Sequence, residues 1–238
     1  MTGGQGPPFF FALRFGAVPY LNARPLLEGL SPLVLATPSE LARDFARGDL
    51  DVALLPVAAG EASGLPRVGA LGIAAEGPVD SVLLFLRREI AAVRTVALDP
   101  ASRTSVVLAR LLLEEAMGLT PRYVEPPADA ELLIGDAALV RGATDEPRLD
   151  LAEEWTRWTG LPFVFAAWYG DVRAASALEE AFARGRPGIA RYAREAGLGL
   201  PPAALERYLR ERIRFRIGPR EEEGLRLFVT RGRARGLL

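Results

Sequence analysis

One pattern occurs twice in this chain and constrains its fold more than any other feature of the sequence. A polar bend with an acidic residue leads into a short apolar strand in residues 48–56 (GDLDVALLP) and again in residues 128–136 (ADAELLIGD). Short apolar runs that end at turn residues and alternate with helical segments are typical of α/β folds. The repeat therefore predicts two similar α/β lobes, the second built from roughly residues 94–166.

The remaining elements predict how the chain passes between these lobes. Helical spacing dominates from residue 174 onward, and the C-terminal helices need a sheet to cover. We therefore expect residues 1–91 and 169–238 to form the first lobe and residues 92–168 to form the second. Two crossings make a hinge with a cleft between the lobes. The other predicted strands lie at residues 12–18, 33–36, 68–73, 82–86, 95–98, 123–124 and 163–168. Capping signals mark helices near residues 37–48, 102–118 and 150–160. A short last helix is predicted around residues 225–229.

Two residue types are missing from the sequence, and their absence limits the possible chemistry. The chain contains neither histidine nor cysteine, which excludes disulfides, thiolate nucleophiles, iron–sulfur clusters and the usual general base. The sequence also has no Walker loop, no Rossmann glycine fingerprint and no cluster of metal ligands, so we expect no cofactor. Any catalysis has to use carboxylates, hydroxyls, amides, Tyr, Arg, backbone donors or the substrate itself.

Charge and apolar runs indicate the kind of partner. The net charge of −1 provides no field that would attract nucleic acid or an anionic membrane. The apolar run at residues 9–13 lacks the basic residues and the cleavage site of a secretory signal, and no run is long enough to span a membrane. We expect a cytoplasmic protein that binds a small molecule, without nucleic-acid or membrane partners; the oligomeric state stays open.

A rigid polar segment follows the first predicted strand, in residues 16–26 (GAVPYLNARPL). Pro19 and Pro25 fix the backbone and remove two donors, so the segment presents Tyr20, Asn22 and Arg24 from a constrained turn. Open α/β sheets place their ligand crevices at such strand ends. The alternative, which local evidence favours, is a proline-rich turn that leads into a helix with Asn22 as its cap.

Three further polar segments fall at predicted strand ends that face the cleft. The segment at residues 99–105 places Ser102, Thr104 and Ser105 at a helix start, where free N–H groups, the helix dipole and hydroxyls can bind a carboxylate. Ordinary capping by Ser102 explains the same pattern equally well. Asp136 either ends a strand, which is the simpler interpretation, or takes part in catalysis, and Ser81 alone is uninformative.

Taken together, these segments resemble the MqnA family of menaquinone biosynthesis, the chorismate dehydratases of the futalosine pathway. The first and fourth of the five matching segments are fairly specific, and the second occurs broadly in binding-protein folds. The C-terminal helices carry no matching motif. The segments are residues 18–26 (VPYLNARPL), 48–57 (GDLDVALLPV), 80–82 (DSV), 98–105 (LDPASRTS) and 134–138 (IGDAA).

The resemblance implies both a fold and a reaction. Members of this family look like cytoplasmic relatives of type 2 periplasmic binding proteins, with two lobes and a cleft between them. The implied reaction removes water from chorismate to give 3-[(1-carboxyvinyl)oxy]benzoate without a cofactor. A sister family, the dihydroxynaphthoate synthases, carries a histidine in an Ile-Ile-His-Glu-Gly segment. Residues 133–137 read LIGDA here, which argues against the sister activity.

The resemblance also implies roles for individual residues. Asn22 and Ser81 are expected to act in catalysis by positioning the departing hydroxyl or a second carboxylate, while Thr104 and Ser105 hold the first carboxylate. The base is either Asp136 or the enolpyruvyl carboxylate of the substrate, and we favour the latter because an ionised Asp beside a dianion opposes binding. A carboxylate-binding or sensing protein without catalysis is the alternative function. The predicted substrate-binding residues are Tyr20, Arg24, Ser102, Thr104, Ser105 and Asp136.

Overall fold

The computed structural model describes residues 13–99 and 102–238. The first residue of the predicted first strand and residues 100–101 of the segment 99–105 lie outside this range. Within it, the chain forms two β-sheets of six and five strands with helices packed around them. The predicted α/β class with two sheets is therefore confirmed.

The first sheet has the strand order β11-β4-β10-β3-β1-β2. Its β1 pairs in parallel with both β2 and β3, while β10 runs antiparallel between β3 and β4. Since β10 comes from a much later part of the chain, the first sheet combines strands from before and after the second sheet in the sequence. The strands are β1 (Phe15–Ala17), β2 (Leu33–Leu35), β3 (Val52–Pro56), β4 (Arg67–Ala75), β10 (Phe163–Gly170) and β11 (Arg214–Arg216).

The second sheet has the order β7-β6-β8-β5-β9. Its β6 runs parallel to β7 and β8, and β5 runs antiparallel to β8 and β9. The strands are β5 (Val82–Leu86), β6 (Thr95–Ala97), β7 (Arg122–Tyr123), β8 (Ala130–Ile134) and β9 (Arg148–Asp150).

The repeated pattern of the sequence occupies equivalent positions in the two sheets. It supplies β3 and β8, which are interior strands of the first and second sheet. Each strand leads directly into a helix, α2 (Val57–Ser63) after β3 and α4 (Gly135–Gly142) after β8. Both strand ends thus face the region where the sheets meet, which places their following residues near the cleft.

The chain crosses between the two sheets earlier in the sequence than the predicted lobe boundaries at 91/92 and 168/169. Val82 of β5 pairs with Ile134 of β8, so β5 belongs to the second sheet rather than to the first lobe. Conversely, β10 lies inside the first sheet, although the prediction assigns most of it to the second lobe. The sequence marks β5 and β10 as strands, but their sheet depends on partners about 50 to 110 residues away, which apolar periodicity does not specify.

Local capping signals position several helices as predicted. The Thr37–Glu40 capping box starts α1 (Pro38–Ala46), and Asp150 caps α5 (Leu151–Thr159), which ends at Gly160. Two helices continue as π-helical turns: α3 (Arg103–Leu111) into Leu112–Ala116, and α8 (Pro202–Arg207) into Tyr208–Arg212. The C-terminal region also contains α6 (Ala175–Gly185), α7 (Ile189–Arg194) and α9 (Pro219–Ala234).

The last helix differs from the prediction in length and in its contacts. It is not a short element around 225–229, because α9 spans 16 residues and contacts both lobes. Arg231 forms an ion pair with Glu115 at 2.8 Å, and Arg235 pairs with Glu114. The arginine-rich end is therefore partly docked on the second lobe. Its acidic partners lie on a π-helical turn that no local signal connects to residues 219–234.

Aromatic packing joins the two lobes away from the strand ends. Trp155 of α5 lies edge-on to Phe163 of β10 and to Phe228 of α9, with ring centroids 5.3 and 6.3 Å apart. All three side chains are fully buried. Edge-to-face aromatic pairs add about 0.5–1.5 kcal/mol beyond their buried area. This cluster helps to hold the lobes together.

Candidate active site

A cavity lies between the lobes and is lined by residues that follow strands of both sheets. The empty space, counted out to the open mouth, is about 590 Å³. Most of the lining is apolar, and six hydroxyl, phenol or amide side chains interrupt it. The lining residues are Val18, Tyr20, Asn22, Pro38, Leu54, Pro56, Ile73, Val79, Ser81, Val82, Ser102, Thr104, Ser105, Ile134, Gly135, Phe165 and Ala166.

The segment between the two prolines forms a single 3₁₀ helix, Leu21–Leu26, with Pro25 inside it. Tyr20 precedes this helix in an extended conformation and lines the cavity. Asn22 is therefore not a helix cap, which answers the alternative raised by the sequence. Its side chain is 9% exposed and points inward from the first turn.

Asn22 and Ser81 are connected through a residue that the sequence did not single out. The Asn22 Nδ2 donates to the Tyr208 hydroxyl at 3.0 Å, and that hydroxyl donates to Ser81 Oγ at 3.0 Å. All three side chains are buried. The Oδ1 of Asn22 is buried too, yet has no hydrogen-bond partner among the described residues. The result is a three-membered chain of hydrogen bonds beside the cavity.

Tyr208 could not have been found from sequence. It lies 127 residues after Ser81 and 186 residues after Asn22, in a helix whose local pattern is only amphipathic. Burial raises the pKa of its phenol well above the usual value, with the charges of Asp136 and Asp80 acting in the same direction. Tyr208 is consequently neutral at physiological pH and keeps its proton for hydrogen bonding.

A second group of polar side chains belongs to the start of α3. Ser102 caps this helix by accepting from the Ser105 N–H at 3.2 Å, and its hydroxyl donates to Ser105 Oγ at 2.8 Å. Thr104 Oγ1 accepts from the Ala58 N–H of α2 at 3.0 Å. The predicted cap is therefore present, and all three hydroxyl residues also line the cavity. The oxygens of Thr104 and Ser105 act as acceptors, and no acceptor for their protons is found within 13–99 and 102–238.

Gly135 allows the aromatic ring of Tyr20 to approach the second lobe. Its φ of +61° is a conformation that side chains disfavour, and a Cβ there would lie 3.0 Å from Tyr20 Cδ1. The Gly135 N–H donates to the Ser81 carbonyl at 2.8 Å. Gly135 thus joins the wall made by Tyr20 to the backbone that carries Ser81.

Asp136 and Arg24 do not line the cavity, in contrast to the other six predicted site residues. Asp136 Oδ1 accepts from the Leu21 N–H at 3.1 Å, because α4 begins beside the 3₁₀ helix. Burial raises the pKa of the Asp136 carboxyl, while the Leu21 N–H and the charge of Arg24 lower it. The Arg24 guanidinium is directed away and donates to the Glu195 carbonyl at 3.4 Å. Direct contact of Arg24 or Asp136 with the substrate stays a prediction, and the position of both residues outside the cavity lining does not support it.

A buried carboxylate fixes the chain just before Ser81. Asp150 Oδ2 accepts from the N–H groups of Val79 and Asp80 at 2.9 and 2.7 Å, while its Oδ1 caps α5. Burial raises the pKa of Asp150 to about 6, although the backbone donors act in the opposite direction. Sequence analysis identified only the capping role. The carboxylate also links the crossing between lobes to the second sheet.

Neither a group of metal-ligating side chains nor a membrane-spanning helix is found among the residues that the structure describes. Among them, no group of three or more acidic, His or Cys side chains is arranged to hold a metal ion. None of the helices formed by residues 13–99 and 102–238 is long and apolar enough to cross a membrane.

Comparison with known sequences identifies related proteins over most of the chain. A family model described as menaquinone biosynthesis matches residues 13–234. A chorismate dehydratase of Thermus thermophilus is 31% identical over 250 aligned positions, which cover 88% of this chain and 91% of that protein. A chorismate dehydratase of Campylobacter jejuni is 30% identical over 64% of this chain and 65% of its own length.

Solved structures with similar folds include binding proteins. The protein AF1704 from Archaeoglobus fulgidus superposes with a TM-score of 0.76 at 16% identity, covering 95% of this chain and 98% of that one. The periplasmic aliphatic sulphonate binding protein SsuA from Escherichia coli gives a TM-score of 0.61 at 18% identity, with coverages of 95% and 88%. At these identities the likeness concerns the fold, which is that of periplasmic binding proteins.

Proposed function

The chain belongs to the menaquinone biosynthesis family, and on that premise we propose that it is a chorismate dehydratase. It is then a carbon–oxygen lyase of the hydro-lyase type, which converts chorismate into 3-[(1-carboxyvinyl)oxy]benzoate and water. The observation that carries the proposal is one interlobe cavity whose lining includes both a helix start with hydroxyl donors and the amide of Asn22 with the hydroxyl of Ser81, which the buried Tyr208 phenol connects. The two dehydratase relatives support the same reaction.

The start of α3 holds one carboxylate of the substrate. The hydroxyl oxygens of Thr104 and Ser105 already accept hydrogen bonds, so each hydroxyl has its proton left to donate. Donors of this kind favour an anion over a cation as the ligand. The free N–H groups and the dipole of the helix add attraction for negative charge, typically about 0.3–1 kcal/mol at a helix end. Binding therefore fixes the ring relative to the second lobe, to which α3 belongs.

The chemical step is an elimination that makes the ring aromatic. A proton leaves the ring carbon that bears the enolpyruvyl ether, and its electron pair forms the new carbon–carbon double bond. The neighbouring carbon–oxygen bond breaks, and hydroxide leaves with the bonding pair and becomes water by taking up the proton that the base removed from the ring. Asn22 and Ser81 hold this departing hydroxyl, and the site needs to stabilise the charge that develops as the proton leaves.

The enolpyruvyl carboxylate of the substrate takes the ring proton. The protein contains no histidine, and the Asp136 carboxylate is engaged with the Leu21 N–H outside the cavity lining. The role of Asp136 is then to hold the 3₁₀ helix that carries Asn22. An intramolecular base is already close to the proton, so the chain needs to supply orientation more than basicity.

A carboxylate-binding or sensing protein without catalysis is the second candidate. The observation that favours it is the fold, which the chain shares with a sulphonate binding protein. A cytoplasmic location and activity without a cofactor remain expectations from the sequence.

Incubation of the purified protein with chorismate, in the presence of a metal chelator and without any cofactor, distinguishes these functions. We expect the diene absorbance to disappear while mass spectrometry detects an aromatic product lighter by one water. A protein that raises its melting temperature with chorismate but returns the ligand unchanged after long incubation is a binder. Absence of both effects would rule out chorismate as the ligand.

A further inference from the structure

The Tyr208 hydroxyl contacts two of the proposed catalytic side chains but does not itself line the cavity. We propose that Tyr208 is a positioning residue for the dehydration, which directs Asn22 Oδ1 and the Ser81 O–H toward the departing hydroxyl of the substrate. This inference rests on the proposed function, since it requires a substrate hydroxyl at these two atoms.

Counting protons determines how the three groups are oriented. A phenol has one proton, which Tyr208 donates to Ser81 Oγ, so it accepts the bond from Asn22 Nδ2. Because Ser81 Oγ already accepts, its own proton is available to the cavity that it lines. The amide nitrogen of Asn22 is used by Tyr208, so the oxygen is the amide atom that remains for a ligand.

The unpartnered oxygen of Asn22 indicates that the ligand supplies a hydrogen-bond donor. A buried polar atom without a hydrogen bond typically destabilises a protein. Asn22 Oδ1 is buried without a hydrogen-bond partner among the described residues, and Asn22 is one of the residues that line the cavity. A hydroxyl of the substrate satisfies both free groups at once, since it donates to Asn22 Oδ1 and accepts from Ser81. As the carbon–oxygen bond breaks, the Ser81 hydrogen bond strengthens on the developing hydroxide.

Two links hold the helix of Tyr208 against the chain that carries Ser81. Tyr208 and Arg212 are four residues apart on the same π-helical turn, and they contact the adjacent residues Ser81 and Asp80. The Arg212 Nε donates to Asp80 Oδ2 at 2.8 Å. Because the Tyr208 ring is itself buried, its hydroxyl has little freedom, and a fixed hydroxyl can fix its two neighbours. Burial also keeps the phenol protonated, as described above.

Tyr208→Phe tests this role, because it removes the hydroxyl and keeps the ring. We expect kcat for chorismate to fall by at least about tenfold, as for the loss of one hydrogen bond that matters in the transition state, while KM changes less than about threefold. Tyr169→Phe is the matched control, since this buried tyrosine also loses one hydrogen bond, to Glu61 at 3.0 Å, outside the cavity. Its kcat should stay within about twofold of the wild type.

A double variant distinguishes positioning from a purely structural contribution. If Tyr208 acts through Ser81, Tyr208→Phe lowers kcat by a smaller factor in a Ser81→Ala background than in the wild type. Equal factors in both backgrounds, or a Tyr208→Phe enzyme that behaves like Tyr169→Phe, would overturn the inference while the wild type still turns over chorismate. A wild type without turnover would overturn the proposed function and this inference with it.

Should Tyr208→Phe fail to fold, a crystal structure of the wild type with the reaction product and an ordered water tests the same orientation. We expect the ligand or the water to lie within hydrogen-bond distance of Asn22 Oδ1 and Ser81 Oγ, without contact to the Tyr208 hydroxyl. An Asn22 amide turned with Nδ2 toward the ligand, or a direct bond from Tyr208 to it, would contradict the assigned role.

Discussion

The polar groups of the cavity fall into two sets that are built in different ways. Ser102, Thr104 and Ser105 come from one helix start, where the hydrogen bonds between Ser102 and Ser105 span three residues. Asn22, Ser81 and Tyr208 come from three segments that meet only in the folded chain. We call the first set the helix-start group and the second the assembled group.

The difference suggests a division of work between binding and chemistry. A helix start is present as soon as the helix forms, and its N–H groups and hydroxyls attract an anion whatever the state of the cleft. The assembled group exists only when the segments around residues 22, 81 and 208 are together. Its reactive arrangement therefore depends on the packing of these three segments, whereas the helix-start group serves to capture the substrate.

Removing the amide of the assembled group should have the largest effect. Asn22→Ala deletes both the bond to Tyr208 and the free acceptor, so we expect kcat to fall by about 10²–10³-fold, the range seen when a group acting on the developing charge is lost. Steady-state kinetics with chorismate measures this. A melting temperature close to that of the wild type serves as the control for folding, and a kcat within about threefold of the wild type would refute the assignment.

Titration of Asp150, which holds the chain just before Ser81, should make stability depend on pH. Its pKa is raised from 3.8 to about 6, so the folded protein binds an extra proton between these values, and the contribution of this group to stability is greatest below about pH 4. As pH rises through 6, the free energy of unfolding should fall by about 3 kcal/mol from this group.

Asp150→Asn supplies the control, since the variant cannot titrate at this position. The difference in unfolding free energy between the wild type and the variant should change by that amount between pH 4 and pH 7. Parallel pH profiles for the two proteins would show that Asp150 does not bind a proton in this range.

A smaller change is expected from the helix-start group. Ser105→Ala removes a hydroxyl that donates to the substrate carboxylate in our account, and a hydrogen bond to a charged group contributes about 1.5–3 kcal/mol. We expect KM for chorismate to rise about tenfold or more while kcat changes less than about threefold. Ser63→Ala is matched to it, because that hydroxyl bonds only to backbone groups of residues 60 and 65. A drop in kcat equal to that of Asn22→Ala would remove the distinction between the groups.

The least effect should follow from Asp136→Asn. An amide oxygen can still accept from the Leu21 N–H, so the 3₁₀ helix keeps its anchor and we expect kcat to change by less than about fivefold. The kinetic constants for chorismate measure this. Loss of most turnover with normal substrate binding would instead identify Asp136 as the base.

The two groups also differ in how far the sequence predicts them. Ser102 is recognisable as a cap because its partner is three residues away, and the capping box of α1 and the Asp150 cap of α5 are local in the same way. Five short segments were enough to recognise the family, which the match over residues 13–234 confirms. Chemistry carried by neighbouring residues is thus predictable from their order.

Features that depend on distant partners were not predictable. The sequence around Tyr208 indicates only an amphipathic helix, because its partners Asn22 and Ser81 are far away in the sequence. Likewise, the sheet that receives β5 or β10 depends on pairing across the chain. The length of α9 is a different case, since Pro219 and Glu221 form a readable helix start that the analysis of apolar spacing overlooked.

In the proposed mechanism the assembled group performs the chemistry and the helix-start group binds the substrate. Measuring the chorismate dissociation constant and the single-turnover rate constant separately for Asn22→Ala and Ser105→Ala tests this division. We predict that Asn22→Ala binds chorismate nearly as well as the wild type but converts it at least about a hundredfold more slowly. Ser105→Ala should bind about tenfold more weakly and convert bound chorismate at nearly the normal rate. Two variants that lose the same quantity to the same extent would contradict the account.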